Sequence, residues 1–284
     1  MDDIERKGHE LLEFIREFPS CAVAFSAGVD STVVAKAAYV ALGDRAVAVT
    51  GVSSSLAAGE LDEAKRLVEL IGIRHMVIDT REFDNPQYVQ NSPDRCYHCK
   101  NELYQQIQRI APQLDVAVVF SGANADDLGD YRPGLQAAAE HAVRSPLAEC
   151  GFTKQDVRRL AAHWELPTWD KPAMPCLASR VAYGEEVWPE RLEMIDRAER
   201  YLRDHGLGTV RVRYHQGDLA RLEVPPDDIQ RVCEPDFREP LVQYLKELGF
   251  RFVTLDIEGF RSGSLNTLVP IETLEAITKR SNIA

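Results

Sequence analysis

Nothing in this 284-residue sequence approaches the roughly 18 consecutive apolar residues that span a bilayer, so no membrane segment is expected. The opening Met1-Asp2-Asp3-Ile4-Glu5 lacks the basic start and apolar run of a secretory signal, and a cytoplasmic location is expected. Positive charge is short: 33 Lys and Arg stand against 45 Asp and Glu, a net charge of −12. A field of that sign repels phosphate backbones, which argues against broad nucleic-acid binding but leaves room for a basic pocket around one nucleotide. There is no internal repeat and no low-complexity tract. A composition of 45% hydrophobic and 27% charged residues excludes disorder. The length suffices for a real core, so no disulfide staple is needed. The six cysteines therefore read as thiols or metal ligands before disulfides.

What is present is an alternation. Helical spacing over 4–17 is followed by a short apolar run, Cys21-Ala22-Val23-Ala24-Phe25. A helix over 32–42, a strand at 46–49, a helix over 59–71 and a strand at 74–78 come next, then a helix over 99–110 and a strand at 116–120. Short apolar runs alternating with amphipathic helices predict βαβ units on a parallel sheet. Residues 166–190 carry Pro167, Pro172, Pro175 and Pro189 and read as an irregular connector. Beyond them come a helix to about 205, a hairpin of 209–214 and 219–224, a helix at 237–248 and a strand at 251–257. The expected organisation is a nucleotide domain over 1–168, a connector over 169–188 and an α+β domain over 189–284.

The strand–loop–helix at 21–42 carries the first chemistry. A helix N-terminus offers unpaired N–H groups and a positive dipole end, which suit phosphate. Ser26 and Ser31 add hydroxyl donors, and Gly28 permits close backbone approach. Asp30 would repel a phosphate unless a cation lies between them, which points to Mg²⁺. The Gly-Lys-Ser/Thr end of a Walker loop is absent; a Ser-rich capping turn is the plainer alternative.

The cysteines carry the second. Cys96-Tyr97-His98-Cys99 opens a helix, and Cys176 lies in the Pro-rich connector. A CxxC with one remote Cys gives three thiolates, which fits a 4Fe–4S cluster with one iron left open. Zinc and plain thiols are the alternatives. Lys171 and Arg180 flank Cys176, and cations favour the nucleophilic thiolate. Cys21 reads as a core residue.

Several segments together resemble one family: Phe25-Ser26-Ala27-Gly28-Val29-Asp30-Ser31, Arg95-Cys96-Tyr97-His98-Cys99-Lys100, the run Gly122 to Gly134, Ser145-Pro146-Leu147, Pro175-Cys176-Leu177-Ala178-Ser179-Arg180, the run Val210 to His215, and Gly259 to Ser264. The first is similar to the pyrophosphate loop Ser-Gly-Gly-x-Asp-Ser of ATP pyrophosphatases, with Ala27 where that family commonly has Gly. Together they look like the ATP-dependent sulfur transferases called LarE. The resemblance implies an α/β fold: a parallel-sheet ATP pyrophosphatase (adenine nucleotide alpha hydrolase-like) domain with a smaller C-terminal α+β domain. It implies adenylation of a carboxylate of pyridinium-3,5-biscarboxylic acid mononucleotide and its conversion to a thiocarboxylate, a precursor of the nickel-pincer nucleotide of lactate racemase.

Carried over residue by residue, Ser26, Gly28, Asp30, Ser31, Asn124 and Lys100 would bind ATP and its pyrophosphate. Asp30, Asp126 and Asp127 would hold Mg²⁺, although the acidic pair also suits helix capping. Arg180, Arg211 and Arg213 would bind the substrate; Arg211 and Arg213, two apart, share a strand face that solvent alone would also explain. Cys176 would be catalytic, and with Cys96 and Cys99 would hold the 4Fe–4S cluster. In the other version of the family a single Cys surrenders its own sulfur. The partners implied are a small nucleotide substrate, a second copy of the chain and a nickel-inserting enzyme that takes the product, with no nucleic acid and no membrane. The competing readings are a tRNA thiolase, another ATP pyrophosphatase synthetase, and a zinc-binding structural protein.

Overall fold

The computed structural model describes residues 3–129, 133–172, 174–261 and 265. The motif residues Asp130, Tyr131, Arg132, Ser262, Gly263 and Ser264 lie outside them. The chain divides into two compact units. The first takes the N-terminal part to Ser53, then Gly59–Glu82 and Cys96–Met174; the second takes Ser54–Ala58, Phe83–Arg95 and the chain from Pro175 on. The sequence places one connector between two domains, whereas two short earlier segments also join the second unit. Among the described residues no helix is long and apolar enough to cross a membrane.

In chain order the elements are α1 (Asp3–Arg16), β1 (Cys21–Ala24), α2 (Val29–Leu42), β2 (Ala46–Val52), α3 (Glu60–Ile71), β3 (Arg74–Asp79), α4 (Pro86–Val89), α5 (Arg95–Leu114), β4 (Val118–Phe120), α6 (Pro133–Glu140), α7 (Pro146–Glu149), α8 (Lys154–His163), α9 (Pro189–Asp204), β5 (Arg211–His215), β6 (Leu219–Glu223), α10 (Ile229–Cys233), α11 (Pro235–Glu247) and β7 (Phe252–Leu255). Several expected boundaries moved by a few residues, most of all around α5. Helix α5 starts four residues earlier and runs through Pro112 to Leu114, and its end consumes the start of the expected strand at 116. The Val116 N–H still returns to the Ala111 carbonyl, so it is unavailable to the sheet.

The first unit is a four-stranded sheet in the order β3-β2-β1-β4, with every pair parallel. Strand β1 is buried along its whole length, as a central parallel strand with both faces covered must be. Its period of two sorts its side chains between two cores. Cys21 and Val23 join Leu11, Ile15, Val33, Phe120 and Leu160 on one face. Ala22 and Ala24 join Val49, Tyr104, Ile107 and Val119 on the other. Helix α1 meets the first core with Ile4, Leu11 and Ile15, at helical spacing. Burial in that core pushes the Cys21 thiol up to about 12, which marks it as inert packing.

The second unit carries a three-stranded sheet, β5-β6-β7. The pair β5–β6 is the expected antiparallel hairpin, whereas β7 adds parallel to β6.

At the top of β2 a small polar contact anchors the end of β1. The Thr50 hydroxyl donates to the Phe25 carbonyl at 3.1 Å and lies 2.9 Å from His75 Nε2. Its only proton is spent on Phe25, so His75 Nε2 must donate to it. Burial, reinforced by the charge of Lys65, lowers the His75 pKa below its ordinary value. Unfolded His75 therefore takes a proton at a pH where folded His75 does not, and stability is lost as pH falls below about 6.5. His215 is lowered in the same direction, chiefly by burial. The melting temperature should fall between pH 7.5 and pH 5.5, and His75→Gln should shrink that fall. A variant with an unaltered slope would show that His75 is not the titrating group.

Candidate active site

The site of the first unit follows from strand order. The chain goes from β1 outward to β2 and β3, then returns to the other side of β1 as β4. Loops leaving β1 and β4 at their C-terminal ends must diverge there, which opens the crevice where α/β sheets bind ligands. A cleft of about 280 Å³ lies at that point, and its lining includes Ser26, Asp30, Ser31, Lys100, Tyr104, Ser121, Gly122, Asp127 and Gly134.

The β1 loop is built around Ala27, which is fully buried and holds φ at +58°. A left-handed turn is natural for Gly and strained for Ala. Gly28 then N-caps α2 without a side-chain cap, so the amides of the first helical turn are not taken by a capping side chain. Ser31 Oγ lies 3.2 Å from Ser26 Oγ and donates to the Gly28 carbonyl at 3.1 Å, which ties the loop to the helix. Gly122 packs against this start: a Cβ there would stand 2.9 Å from the Ser31 amide nitrogen.

Asp30 and Asn124, ninety-four residues apart, meet here. Asn124 Nδ2 donates to Asp30 Oδ1 at 3.1 Å, and Lys154 Nζ donates to Asp30 Oδ2 at 2.5 Å. Asp126 and Asp127 turn toward the backbone instead. Asp127 accepts from the Asn124 amide at 3.0 Å, and Asp126 from the Lys154 amide at 2.8 Å. Each thus makes one backbone contact of the capping kind, and Asp127 also lines the cleft. Among the described residues no group of three His, Cys, Asp or Glu side chains is gathered to hold a metal ion. Lys100 lines the cleft 6.0 Å from the Tyr104 ring centre. Its close neighbour Gly134 leaves only 3.1 Å between an added Cβ and Lys100 Cγ. Sequence reasoning missed Lys154, Tyr104 and Ser121; the Gly after β4, mirroring the Gly after β1, was the available signal for that second loop.

In the first unit Cys96 and Cys99 occupy the first turn of α5, three residues apart and so on one face. Cys96 is exposed and Cys99 half-buried. The second unit holds Cys176, exposed, just ahead of a short 3₁₀ turn at Leu177–Arg180. This loop is gripped by its carbonyls. Arg180 Nη1 donates to the Pro175 carbonyl and, at 3.0 Å, to that of Cys176. Arg213 takes the Ser179 carbonyl at 3.1 Å, and Arg95 that of Ala178 at 2.8 Å. Asn91 Nδ2 takes those of Val181 and Ala182.

The cations beside Cys176 are themselves paired. Arg180, 1% exposed, meets the equally buried Glu199 through Nε at 3.0 Å and Nη2 at 3.2 Å. Lys171, which flanks Cys176 in the sequence, meets Glu63 at 2.8 Å in the first unit. Arg211 and Arg213 are buried, so solvation does not explain them. Arg213 donates to Glu223 at 2.8 and 3.0 Å. Burial, with the charge of Arg180 adding, pushes the Arg211 guanidinium down to about 10, and it stays charged at neutral pH. Breaking a buried pair leaves an unpaired charge, so Glu199→Gln should destabilise the chain by about 3 kcal/mol in urea unfolding. A loss below about 1 kcal/mol would mean that Arg180 is held by its carbonyls alone.

No family model matches the chain. It is 48% identical over 266 residues to an uncharacterized protein of Synechocystis sp., spanning 94% of this chain and 99% of that one. To a glutamine-hydrolyzing GMP synthase chain of Archaeoglobus fulgidus it is 26% identical over 71% of both chains. To the pyridinium-3,5-bisthiocarboxylic acid mononucleotide synthase of Lactiplantibacillus plantarum it is 37% identical over 267 residues, spanning 94% of this chain and 96% of the synthase. That identity, sustained over nearly the full length of both, places the chain in the LarE family of pyridinium-3,5-bisthiocarboxylic acid mononucleotide synthases.

Proposed function

We propose that the chain is an ATP-dependent sulfur transferase that adenylates a carboxylate of pyridinium-3,5-biscarboxylic acid mononucleotide and replaces one of its oxygens with sulfur. The observation that carries the reading is the cleft at the strand-order reversal, where a left-handed turn ahead of the helix N-terminus meets the Asp30–Asn124 pair. A carboxylate oxygen of the substrate attacks the α-phosphorus of ATP, the α–β phosphoanhydride breaks, and pyrophosphate leaves. The amides of α2 with Ser26 and Ser31 stabilise that departing charge. Sulfur then attacks the acyl carbon and AMP departs with its bonding electron pair.

Asp30 is the carboxylate that fits Mg²⁺, which is ordinarily held by one or two carboxylates together with substrate phosphates and water. When bound, Mg²⁺ supplies charge neutralisation along the triphosphate. Arg211 and Arg213 carry the cationic charge that suits the substrate's phosphate or carboxylates.

For the sulfur source, the thiols divide by accessibility. Burial pushes Cys150 up to about 11 and Cys21 higher, whereas Cys96, Cys176 and Cys233 are exposed and Cys99 is half-buried. Cys96, Cys99 and Cys176 would hold a 4Fe–4S cluster, which supplies an open iron for sulfide. The second reading, Cys176 surrendering its own sulfur, is favoured by the exposure of that thiol on a loop whose carbonyls are held in place.

Mass spectrometry of the intact chain after incubation with ATP, Mg²⁺ and the biscarboxylated mononucleotide decides between them. Unchanged mass with thiocarboxylate product and about four irons per chain is expected for the cluster route. A loss of about 34 Da at Cys176, leaving dehydroalanine, would establish the sacrificial route instead. Unchanged mass without product would overturn the assigned substrate. Gly122→Ala should cut substrate-dependent pyrophosphate release by about a hundredfold, because it displaces the start of α2 from the reacting geometry. Unimpaired release would remove Gly122 from the machinery.

A further inference from the structure

Lys171 lies in the first unit with more partners than its place in a connector requires. Its ammonium is 2.8 Å from Glu63 and 3.4 Å from Glu60, both in the first turn of α3. The same Nζ donates to the Ala27 carbonyl at 3.3 Å. The lysine side chain is only 15% exposed. Its own backbone is fixed in turn: Arg158 donates to the carbonyls of Trp169 and Lys171 at 2.8 and 2.9 Å. Charge alone does not explain the arrangement. Two carboxylates and one ammonium sum to an anionic cluster touching a loop that must accept a polyanion, which by itself works against binding.

Geometry does explain it. Ala27 holds a left-handed turn that an L side chain resists, so the surroundings must over-determine it. Its methyl is locked in the core. Its carbonyl is the remaining handle. A trans peptide carries its C=O and N–H antiparallel, so fixing the Ala27 carbonyl also fixes the direction of the Gly28 N–H. We propose that Lys171, held by Glu60 and Glu63, is a positioning residue for the phosphate loop: it secures the Ala27–Gly28 peptide in the conformation that receives the ATP phosphates. The inference rests on the nucleotide reading given above and adds a residue that acts through the loop.

The experiment is titration of the full chain with MgATP by calorimetry, alongside the melting temperature of the nucleotide-free protein. Lys171→Met should weaken MgATP about tenfold, the equivalent of 1.4 kcal/mol, with little change in melting temperature. Glu63→Gln, and Glu60→Gln with Glu63→Gln, should weaken it in the same direction, although each removes negative charge near a polyanion. In an Ala27→Gly background the turn no longer opposes its backbone, and Lys171→Met should cost less than it does beside Ala27. Tighter MgATP binding in the Gln variants would mean that Lys171 is released to bind phosphate directly, and would overturn the proposal. Unchanged binding in all of them would reduce the contact to a structural tie and overturn it as well. Should Lys171→Met lose the fold, Glu63→Gln carries the test alone. A wild-type chain that fails to bind MgATP would overturn the nucleotide reading and this proposal together, a result distinct from the other two.

Discussion

Because β1 is hydrogen-bonded to β2 on one side and to β4 on the other, the first unit has one place where the chain reverses its order across the sheet. Every other feature of its candidate site depends on that pairing. Loops that leave neighbouring parallel strands in opposite directions open a crevice, and the residues at the ends of those strands become its walls. Asp30 and Asn124 are brought together by the sheet and by nothing local. Gly122 has room for no side chain because the loop after β4 packs against the first turn of α2. The all-buried β1 in turn requires small side chains on one face and a helix against each, which is why α2 is apolar around most of its circumference.

The second unit solves a different problem. There a short loop is held by its main chain and its thiol is left uncovered. Main-chain carbonyls are the only groups such a loop always presents, and guanidinium groups, with several donors in one plane, capture them well. Arg180, Arg213 and Arg95 do this from beneath. Burying so many cations would be prohibitive alone. Glu199 and Glu223, both nearly inaccessible, supply the opposing charge.

Much of this was legible in the chain. The strand–loop–helix at 21–42, the parallel alternation and the hairpin at 211–223 follow from local periodicity and turn residues, and they stand where the pattern put them. The left-handed turn was legible only through the family's Gly at that place, since an Ala between Ser26 and Gly28 does not by itself announce it; the surroundings impose it. The ion pairs were not legible. Arg213 finds Glu223 across a strand register, Arg180 finds Glu199 across nineteen residues of chain, and Lys171 finds Glu63 more than a hundred residues back. Charge patterning along a sequence reports which residues can pair. It does not report which will be buried, because burial is decided by the packing of elements distant in sequence. The acidic pair Asp126-Asp127 shows both cases. Asp127 caps locally, on the Asn124 amide, whereas Asp126 reaches the Lys154 amide at the start of α8, a contact no local pattern announces.

The grip on the Cys176 loop has a consequence of its own. Arg180, Arg95 and Asn91 recognise oxygens that every amino acid possesses, so the loop's path is indifferent to what side chain stands at 176. Shape and reactivity are thereby inherited separately. A lineage could trade the thiol for another group, or lose it, and keep the same perch for whatever took its place.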